Sequence, residues 1–403
     1  MLSLDEAVAR VSADVPVVAG SETVPVWLAD GRIAAADAFA RTDLPPFDNA
    51  AVDGYAVCFS DLAASGPTRL PLAGRIPAGA SPEGIAARGG AVRIFTGAPM
   101  PSGADTVFMQ EDVRTDAAGI VLPPGQCPGA NRRRAGEDIV RGGLVVPAGR
   151  RLRPQDLGLA AAAGLDALSV RRRLRVALFS TGDELADPSA ALGPGMIHDA
   201  NRVMLAALLT RLGAVVGDLG ILRDDPAGLP ARLAAAGTEH DLILTSGGVS
   251  VGEEDHVKAA VEAVGRLAFW RLAIKPGKPL AMGTVGTTPF VGLPGNPVAA
   301  YVTLLFVVRP LLARLGGGTV EPPRPMPVRA AFSLRRKPGR REFVRVSLAQ
   351  GADGVIEARK NPREGSGMLT SLTGSDGLAE IAEATGAVAP GDTVGFHSHA
   401  LLW

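Results

Sequence analysis

Acidic, basic and small residues recur together in five short stretches of the chain's second half. These are Thr181-Gly182-Asp183-Glu184, Asp224-Asp225, Ser246 to Asp255, Lys275-Pro276-Gly277-Lys278 and Pro294-Gly295-Asn296. The central one lies in DLILTSGGVSVGEEDHV, Asp241 to Val257, which reads as a short apolar strand, a small-residue loop (Ser246, Gly247, Gly248, Ser250) and an acidic helix start. Glycines let the backbone approach an anion, and the amides of the following helix attract it. Glu184, Asp225 and Asp255 suit a hydrated divalent cation, because Mg²⁺ keeps water and takes one or two carboxylates plus substrate phosphate. Lysine is scarce, five of 41 basic residues, so the pair Lys275 and Lys278 stands out as a source of point charge for an anion. The loop lacks the GK[ST] of a P-loop, which sets an ordinary NTPase aside. Helix caps and turns account for each stretch separately, but not for five polar loops after five strands.

The first half carries a second unusual run, Phe47 to Ala56, with Asp48, Asn49 and Asp53 among apolar residues. Such groups are costly to bury without partners. An Asx-turn would explain Asp48 and Asn49; Asp53, between Val52 and Gly54, looks less like a cap and is a functional candidate. Thr96, in Ile94 to Pro99, is placed to bond a ligand or to cap a turn. Asn131 to Asp138 (NRRRAGED) reads as a solvated charged face or an anion site. Arg335, Arg336, Arg340, Arg341 and Arg345 form a further basic group, and Glu364 to Leu369, with Ser366, offers an anion-sized turn. His397 and His399 alternate on an expected strand; with no third ligand in spacing, a surface pair is favoured over a metal site.

The elements that must position these residues follow from pattern. From Leu174 the chain alternates strand and helix to about Leu315, which predicts a mostly parallel sheet covered on both faces. Ligands bind at the carboxyl ends of such strands, where all five polar loops would gather. Asn296-Pro297 is expected to cap the last helix, with Pro at its first position. Residues 1 to 41 suggest a helix, a strand and an Ala-rich helix ending near Ala40. Residues 42 to 137 are punctuated by Pro and Gly between short β-like pieces, and helix returns after 138. The expected organisation is therefore multidomain α/β plus β. Segments 1–41 and 138–173 form a discontinuous α+β domain, 42–137 an inserted β-rich domain, 174–320 the α/β domain, and 321–403 a small C-terminal β-barrel.

Composition is globular, with 47% hydrophobic and 20% charged residues and a formal net charge of zero. That balance gives no case for nucleic acid or an anionic membrane. Two distant cysteines make no disulfide framework and suggest a reduced, cytoplasmic chain. The N-terminus lacks a signal-peptide pattern, and the longest apolar run, Val298 to Val308, is too short to span a bilayer.

Seven motifs in order, FDNAAVDGYA, RIFTGAPMPSGAD, RRRAGEDI, STGDEL, GGVSVGEEDHV, KPGKPL and GLPGNP, together resemble the molybdopterin molybdenumtransferases, the MoeA and gephyrin E-domain family. The resemblance covers roughly residues 1 to 400. It implies a homodimer of four-domain subunits with a molybdopterin-binding α/β domain. It also implies Mg²⁺-dependent insertion of molybdate into adenylylated molybdopterin, with release of AMP. The family's essential carboxylates fall on Asp53, Asp138, Glu184, Asp225 (or Asp224) and Asp255, with Mg²⁺ on the last three, and its second-domain threonine on Thr96. Its oxyanion lysines fall on Lys275 and Lys278, and substrate binding extends to Ser246, Gly247, Gly248, Ser250, Pro294, Asn296, Arg345 and Ser366. The site is then expected between the α/β domain of one subunit and the second domain of its partner. Two departures stand out: His198 where Tyr is more frequent, and Ala299 where Ser is frequent, which removes a hydroxyl and leaves tungstate open beside molybdate. A molybdopterin adenylyltransferase is the rival enzyme, though it leaves VDGYA and the last domain unexplained; a non-catalytic cofactor carrier is the rival outside enzymes. An adenylyltransferase and molybdoenzyme acceptors are the expected partners.

Overall fold

The computed structural model describes residues 1–13, 15–223, 228–247 and 256–401. At its centre is a six-stranded sheet built from β1 (Arg175–Thr181), β2 (Val215–Leu222), β3 (Leu242–Ser246), β4 (Gly265–Arg271), β5 (Pro279–Val285) and β6 (Thr288–Leu293), in the order β2-β1-β3-β6-β5-β4. The first four of these are mutually parallel. β5 runs antiparallel to β6, and β4 antiparallel to β5. The sheet is thus mostly parallel, as expected, with β5 the one reversed strand. The two reversals cancel, so β4 points the same way as β1, β3 and β6. The Lys275–Lys278 loop that follows it therefore still reaches the carboxyl edge.

Both faces of the sheet are covered, as continuous apolar runs in parallel strands require. Val176, Leu178, Leu242, Leu244, Val291 and Leu293 pack on one side against Leu205 and Leu209 and against the apolar helix after Asn296. Ala177, Phe179, Ile243 and Phe290 pack on the other against Leu229, Leu233, Val257 and Val261. The apolar helix, Pro297–Leu315, has the length and hydropathy to cross a bilayer, but 83% of its apolar window is buried inside the protein, which marks a core helix. Residues Leu304–Val308 within it take the π form.

The N-terminal region differs from expectation in two places. The helix Leu4–Ala13 inserts Leu4, Ala7 and Val11 into the α/β core rather than joining the segment around 138–173. The backbone of Leu2 bonds to Arg271 and Ala273, which pins that helix to the end of β4. The Ala-rich stretch before Ala40 is not helical: it holds turns, isolated bridges and the two-residue strand Ala38–Phe39. Ala34 and Ala40 instead pack with Val146, Leu152, Ala160 and Val170, so their small side chains serve close backbone approach. Between these halves, Gly54–Val57, Leu72–Ile76, Ala91–Ile94 and Thr106–Met109 form a four-stranded sheet with its own apolar cluster.

At the C-terminus, β7 (Met326–Ala330), β8 (Arg341–Gln350), β9 (Ile356–Lys360), β10 (Gly377–Ile381) and β11 (Thr393–Ser398) close into a barrel in the order β8-β9-β7-β11-β10, with β10 pairing back to β8. Val328, Val346, Ala379, Val394 and Phe396 fill it. The short strand Ile274–Lys275 adds to β8 in parallel, pairing Ile274 with Arg341 and Lys275 with Glu342. The loop after β4 is thereby strapped to the barrel.

Candidate active site

That strap brings one barrel wall up to the carboxyl edge of the central sheet, and a cavity of about 1380 Å³ lies between them. The sheet side supplies Thr181 and Glu184 after β1, Gly247 after β3, Lys275 to Pro279 after β4, and Pro294 to Asn296 after β6. The barrel side supplies Glu342 and Arg345 from β8, Lys360 and Asn361 at the end of β9, and Glu364 and Ser366 beyond. Of the residues expected to bind substrate, Gly247, Lys275, Lys278, Pro294, Asn296, Arg345 and Ser366 all line this one cavity, with Glu184. Gly248, Ser250, Asp225 and Asp255 lie outside the described residues.

Two glycines set the approach of the loops. Gly247 adopts φ +90°, and a Cβ there would come within 2.7 Å of the Thr181 carbonyl oxygen. Gly277 adopts φ +112°, and a Cβ would meet Thr303 Oγ1 at 2.6 Å. Asn201, at the start of the Ala200–Arg211 helix, staples the β3 and β6 loops: its Nδ2 donates to Ser246 Oγ and to the Gly295 carbonyl, each at 2.7 Å. Ser246 is therefore buried behind the wall, as the partner of Asn201. Sequence reasoning did not single out Asn201 as a site residue; its place in IHDAN, after a strand and at a helix start, was the available cue.

The helix start at Asn296 departs from the expected cap. Asn296 takes the cap backbone conformation and Pro297 the first helical position, but the Asn296 side chain makes no cap bond. The carbonyl of Ser366 instead accepts from the Val298 amide at 3.0 Å. A turn of the C-terminal region thus caps a helix of the α/β unit, and the Asn296 amide group is left to face the cavity.

Charge in the cavity is uneven. Among the described residues, Arg10, Arg271, Lys275, Lys278, Arg345 and Lys360 share the wall with three carboxylates, Glu184, Glu342 and Glu364. Lys275 Nζ sits 2.7 Å from the buried carboxylate of Glu342, which Arg336 also approaches at 3.3 Å. Lys360 pairs with Glu364, and that ion pair holds the Glu364 carboxyl below the usual range. Arg345 is buried: Nε donates to Ser371 Oγ at 3.0 Å and Nη2 to the carbonyls of Arg363 and Gly365 at 3.1 and 3.3 Å. Its guanidinium shapes the turn that presents Ser366, and burial pushes its pKa below the ordinary arginine value. Lys278 is exposed and has no hydrogen bond or ion pair among the described residues. The Thr181 hydroxyl, at the end of β1, is likewise buried without a partner among them.

Asp53, Thr96 and Asp138 do not line this cavity. Asp53 and Thr96 meet each other: Asp53 Oδ1 accepts from the Thr96 amide at 2.8 Å and its hydroxyl at 2.7 Å. Those two bonds, helped by Arg93, hold the Asp53 carboxyl below the usual range. Asp138 is exposed, and its amide donates to the Leu44 carbonyl. Ala299 lines the cavity wall, whereas His198 stands outside it, with Nδ1 3.2 Å from the Asp187 carbonyl. The expected surface pair of histidines is not one. His397 is buried beside Phe306 and Phe343 and bonds Glu380 at 2.6 Å; His399 leaves the strand and joins Tyr301 Oη and Ser375 Oγ.

A central α/β unit with an anion-suited cavity at its carboxyl edge, flanked by a β-rich N-terminal region and a closed barrel, defines a multidomain α/β-plus-β protein with its candidate site at the sheet edge. Family models match in register with that layout. The MoeA N-terminal region (domain I and II) matches residues 2–164, a probable molybdopterin binding domain 177–314, and the MoeA C-terminal region (domain IV) 327–398. The molybdopterin molybdenumtransferase of Haemophilus influenzae is 39% identical over 400 residues, 98% of each chain. Molybdopterin molybdenumtransferase 2 of Mycobacterium tuberculosis is 38% identical over 394 residues, 95% of this chain and 96% of the other. A solved structure of the molybdopterin biosynthesis MoeA protein of Pyrococcus horikoshii superposes with a TM-score of 0.82 at 28% identity, covering 99% of this chain and 100% of that one. The chain belongs to the MoeA family of molybdopterin molybdenumtransferases.

Proposed function

We propose that the chain inserts molybdate into adenylylated molybdopterin with release of AMP, in a reaction that depends on Mg²⁺. The observation that carries this reading is the cavity at the carboxyl strand edge, where Lys278, unpaired among the described residues, and the Asn296 amide group add to a surplus of positive charge among those residues. A tetrahedral dianion such as molybdate fits that surplus, and lysine binds such an anion as a point charge. Full-length kinship to chains named molybdopterin molybdenumtransferase supports the same conclusion.

In this reading Lys278 holds the oxyanion, and Lys275, already shared with Glu342, acts as the weaker donor. Arg345 keeps the Ser366 turn in place so that Ser366 and Asn296 close on the anion together. No group of three or more His, Cys, Asp or Glu side chains among the described residues converges as a metal set. Glu184 supplies one exposed carboxylate in the cavity wall, which fits a hydrated Mg²⁺ taking one or two protein oxygens. Asp225 and Asp255 are proposed as its companions. When bound, the ion would stabilise charge on the phosphate being cleaved. Asp53, Thr96 and Asp138 are assigned to the same reaction from the partner subunit of a homodimer, in the cytoplasm, with the division into four domains given above except that the Leu4–Ala13 helix packs on the α/β unit.

The test is AMP release from adenylylated molybdopterin by the purified protein, with Mg²⁺ and with or without molybdate. Molybdate-dependent AMP release that falls at least 100-fold in Lys278→Ala is expected. AMP release that ignores both molybdate and Lys278 would sink the assignment.

A further inference from the structure

A second cavity, of about 700 Å³, lies at the opposite end of the same apolar helix. The first touches that helix at Ala299 and the second at Arg309 to Ala313, so they are separated by roughly 15 Å along its axis at 1.5 Å per residue. No residue lines both. The second cavity is walled by eight arginines (32, 150, 151, 153, 171, 172, 173 and 309) and one carboxylate, Glu321. A chain with zero net charge has concentrated one sign here.

Part of that charge is neutralised by acids behind the wall. Arg32 pairs with Glu22, Arg150 and Arg153 with Asp156, and Arg172 with Asp241. Arg151, Arg171, Arg173 and Arg309 have no carboxylate partner among the described residues. Arg171 Nε and Arg309 Nη1 are buried N–H groups with no acceptor among those residues. An unmet guanidinium donor out of water costs more than an unmet neutral one. Burial first, and then the nearby charge of Arg151, push Arg309 below its ordinary basicity, with Glu321 opposing them. The π segment Leu304–Val308 ends immediately before Arg309 and resets the helical phase at which that side chain emerges. Such segments are rare and concentrate at functional sites.

We propose that this arginine-walled cavity is a binding site for a small polyanion bearing a diphosphate group. Planar guanidinium forks bind phosphate oxygens in pairs, which favours a ligand offering several at once. Arg151 and Arg173, exposed in the wall and without a carboxylate partner among the described residues, would grip the diphosphate, with Arg171 and Arg309 adding positive charge behind them.

Calorimetric titration of the full chain with pyrophosphate, ADP and orthophosphate at low salt tests this. The variants are the surface double substitution Arg151→Gln/Arg173→Gln and, as a control on the first cavity, Lys278→Ala; circular dichroism checks folding. Saturable pyrophosphate or ADP binding is expected, unchanged in Lys278→Ala, at least tenfold weaker in the double variant, and at least tenfold tighter than orthophosphate. The tighter of pyrophosphate and ADP identifies a free or a nucleotide-borne diphosphate; either supports the proposal. Binding lost in Lys278→Ala but kept in the double variant would assign the ligand to the first cavity and overturn it. So would equal affinity for orthophosphate, or no saturable binding at all. Because Lys278→Ala separates the two cavities, failure of AMP release leaves this result interpretable.

Discussion

Asp53 shows how much a carboxylate's role depends on two hydrogen bonds. Its Oδ1 accepts from both the amide and the hydroxyl of Thr96, and its pKa is depressed mainly by those bonds. A depressed folded-state pKa means the group's contribution to stability is present above the unfolded pKa and lost as pH falls through the folded one. Thr96→Val removes the hydroxyl donor and keeps the amide. The Asp53 carboxyl should then titrate at higher pH, moving the acid limit of its contribution upward, as carbon-detected NMR of the carboxyl would record. An unshifted titration would show that the amide alone sets the carboxylate's charge. At Lys278 the logic is reversed: it has no partner among the described residues, which leaves its donors for an incoming anion.

Elements matter here through their ends. The strands β1, β3, β4 and β6 all deliver loops to one edge because the antiparallel pair β4–β5 restores the common direction. The loop after β4 then has to turn sharply beside the apolar helix, and Gly277 makes this possible: its φ is +112°, with Thr303 Oγ1 2.6 Å from where a Cβ would lie. Gly286 also has a positive φ, of +56°, but faces open space. Gly277→Ala should therefore destabilise by about 2–3 kcal/mol, combining backbone strain and the clash, and Gly286→Ala by about 1 kcal/mol from strain alone. Urea denaturation of the two variants measures the difference; equal losses would mean that the helix side of the loop gives way freely. The loss at Gly277 should be accompanied by a raised KM for the oxyanion, since Lys275 and Lys278 flank it.

At the scale of the whole molecule, the residues assigned to one reaction fall in two places within a single chain. Glu184, Lys278, Asn296 and Ser366 line the cavity, whereas Asp53, Thr96 and Asp138 stand apart from it. A homodimer in which one subunit's N-terminal β-rich region meets the other's cavity reconciles the two groups. Mixing Asp53→Asn and Asp255→Asn proteins should then regenerate about a quarter of wild-type activity at equal ratio, because heterodimers carry one intact site each; about half of the dimers are mixed, by random pairing. No recovery on mixing, with exchange confirmed by mass spectrometry, would place both carboxylates in the same subunit's site.

The sequence by itself determined the class of the central unit, since alternating strands and helices with polar loops after each strand leave few other folds. It also suggested the chemistry proposed above, since scarce lysines beside glycine turns and acids suit an anion held with a divalent cation. Seven ordered motifs were enough to mark the family, which needs no geometry. The tertiary structure decided what depends on contacts between distant segments. Leu4, Ala7 and Val11 complete a core more than 160 residues away, which their local pattern does not reveal. The Ala-rich stretch before Ala40 reads as helix on propensity, yet its small side chains were selected by close packing against 145–170. Asn296 looks like a cap in sequence, but Ser366 of another unit takes over that bond. Arg345 looks like a ligand in sequence; it lines the cavity and is also the buried fastener of the Ser366 turn. Hydrophobic periodicity and turn chemistry are local and can be read along the chain; partner choice for a buried charge or an orphan amide is settled only when remote segments exclude water together.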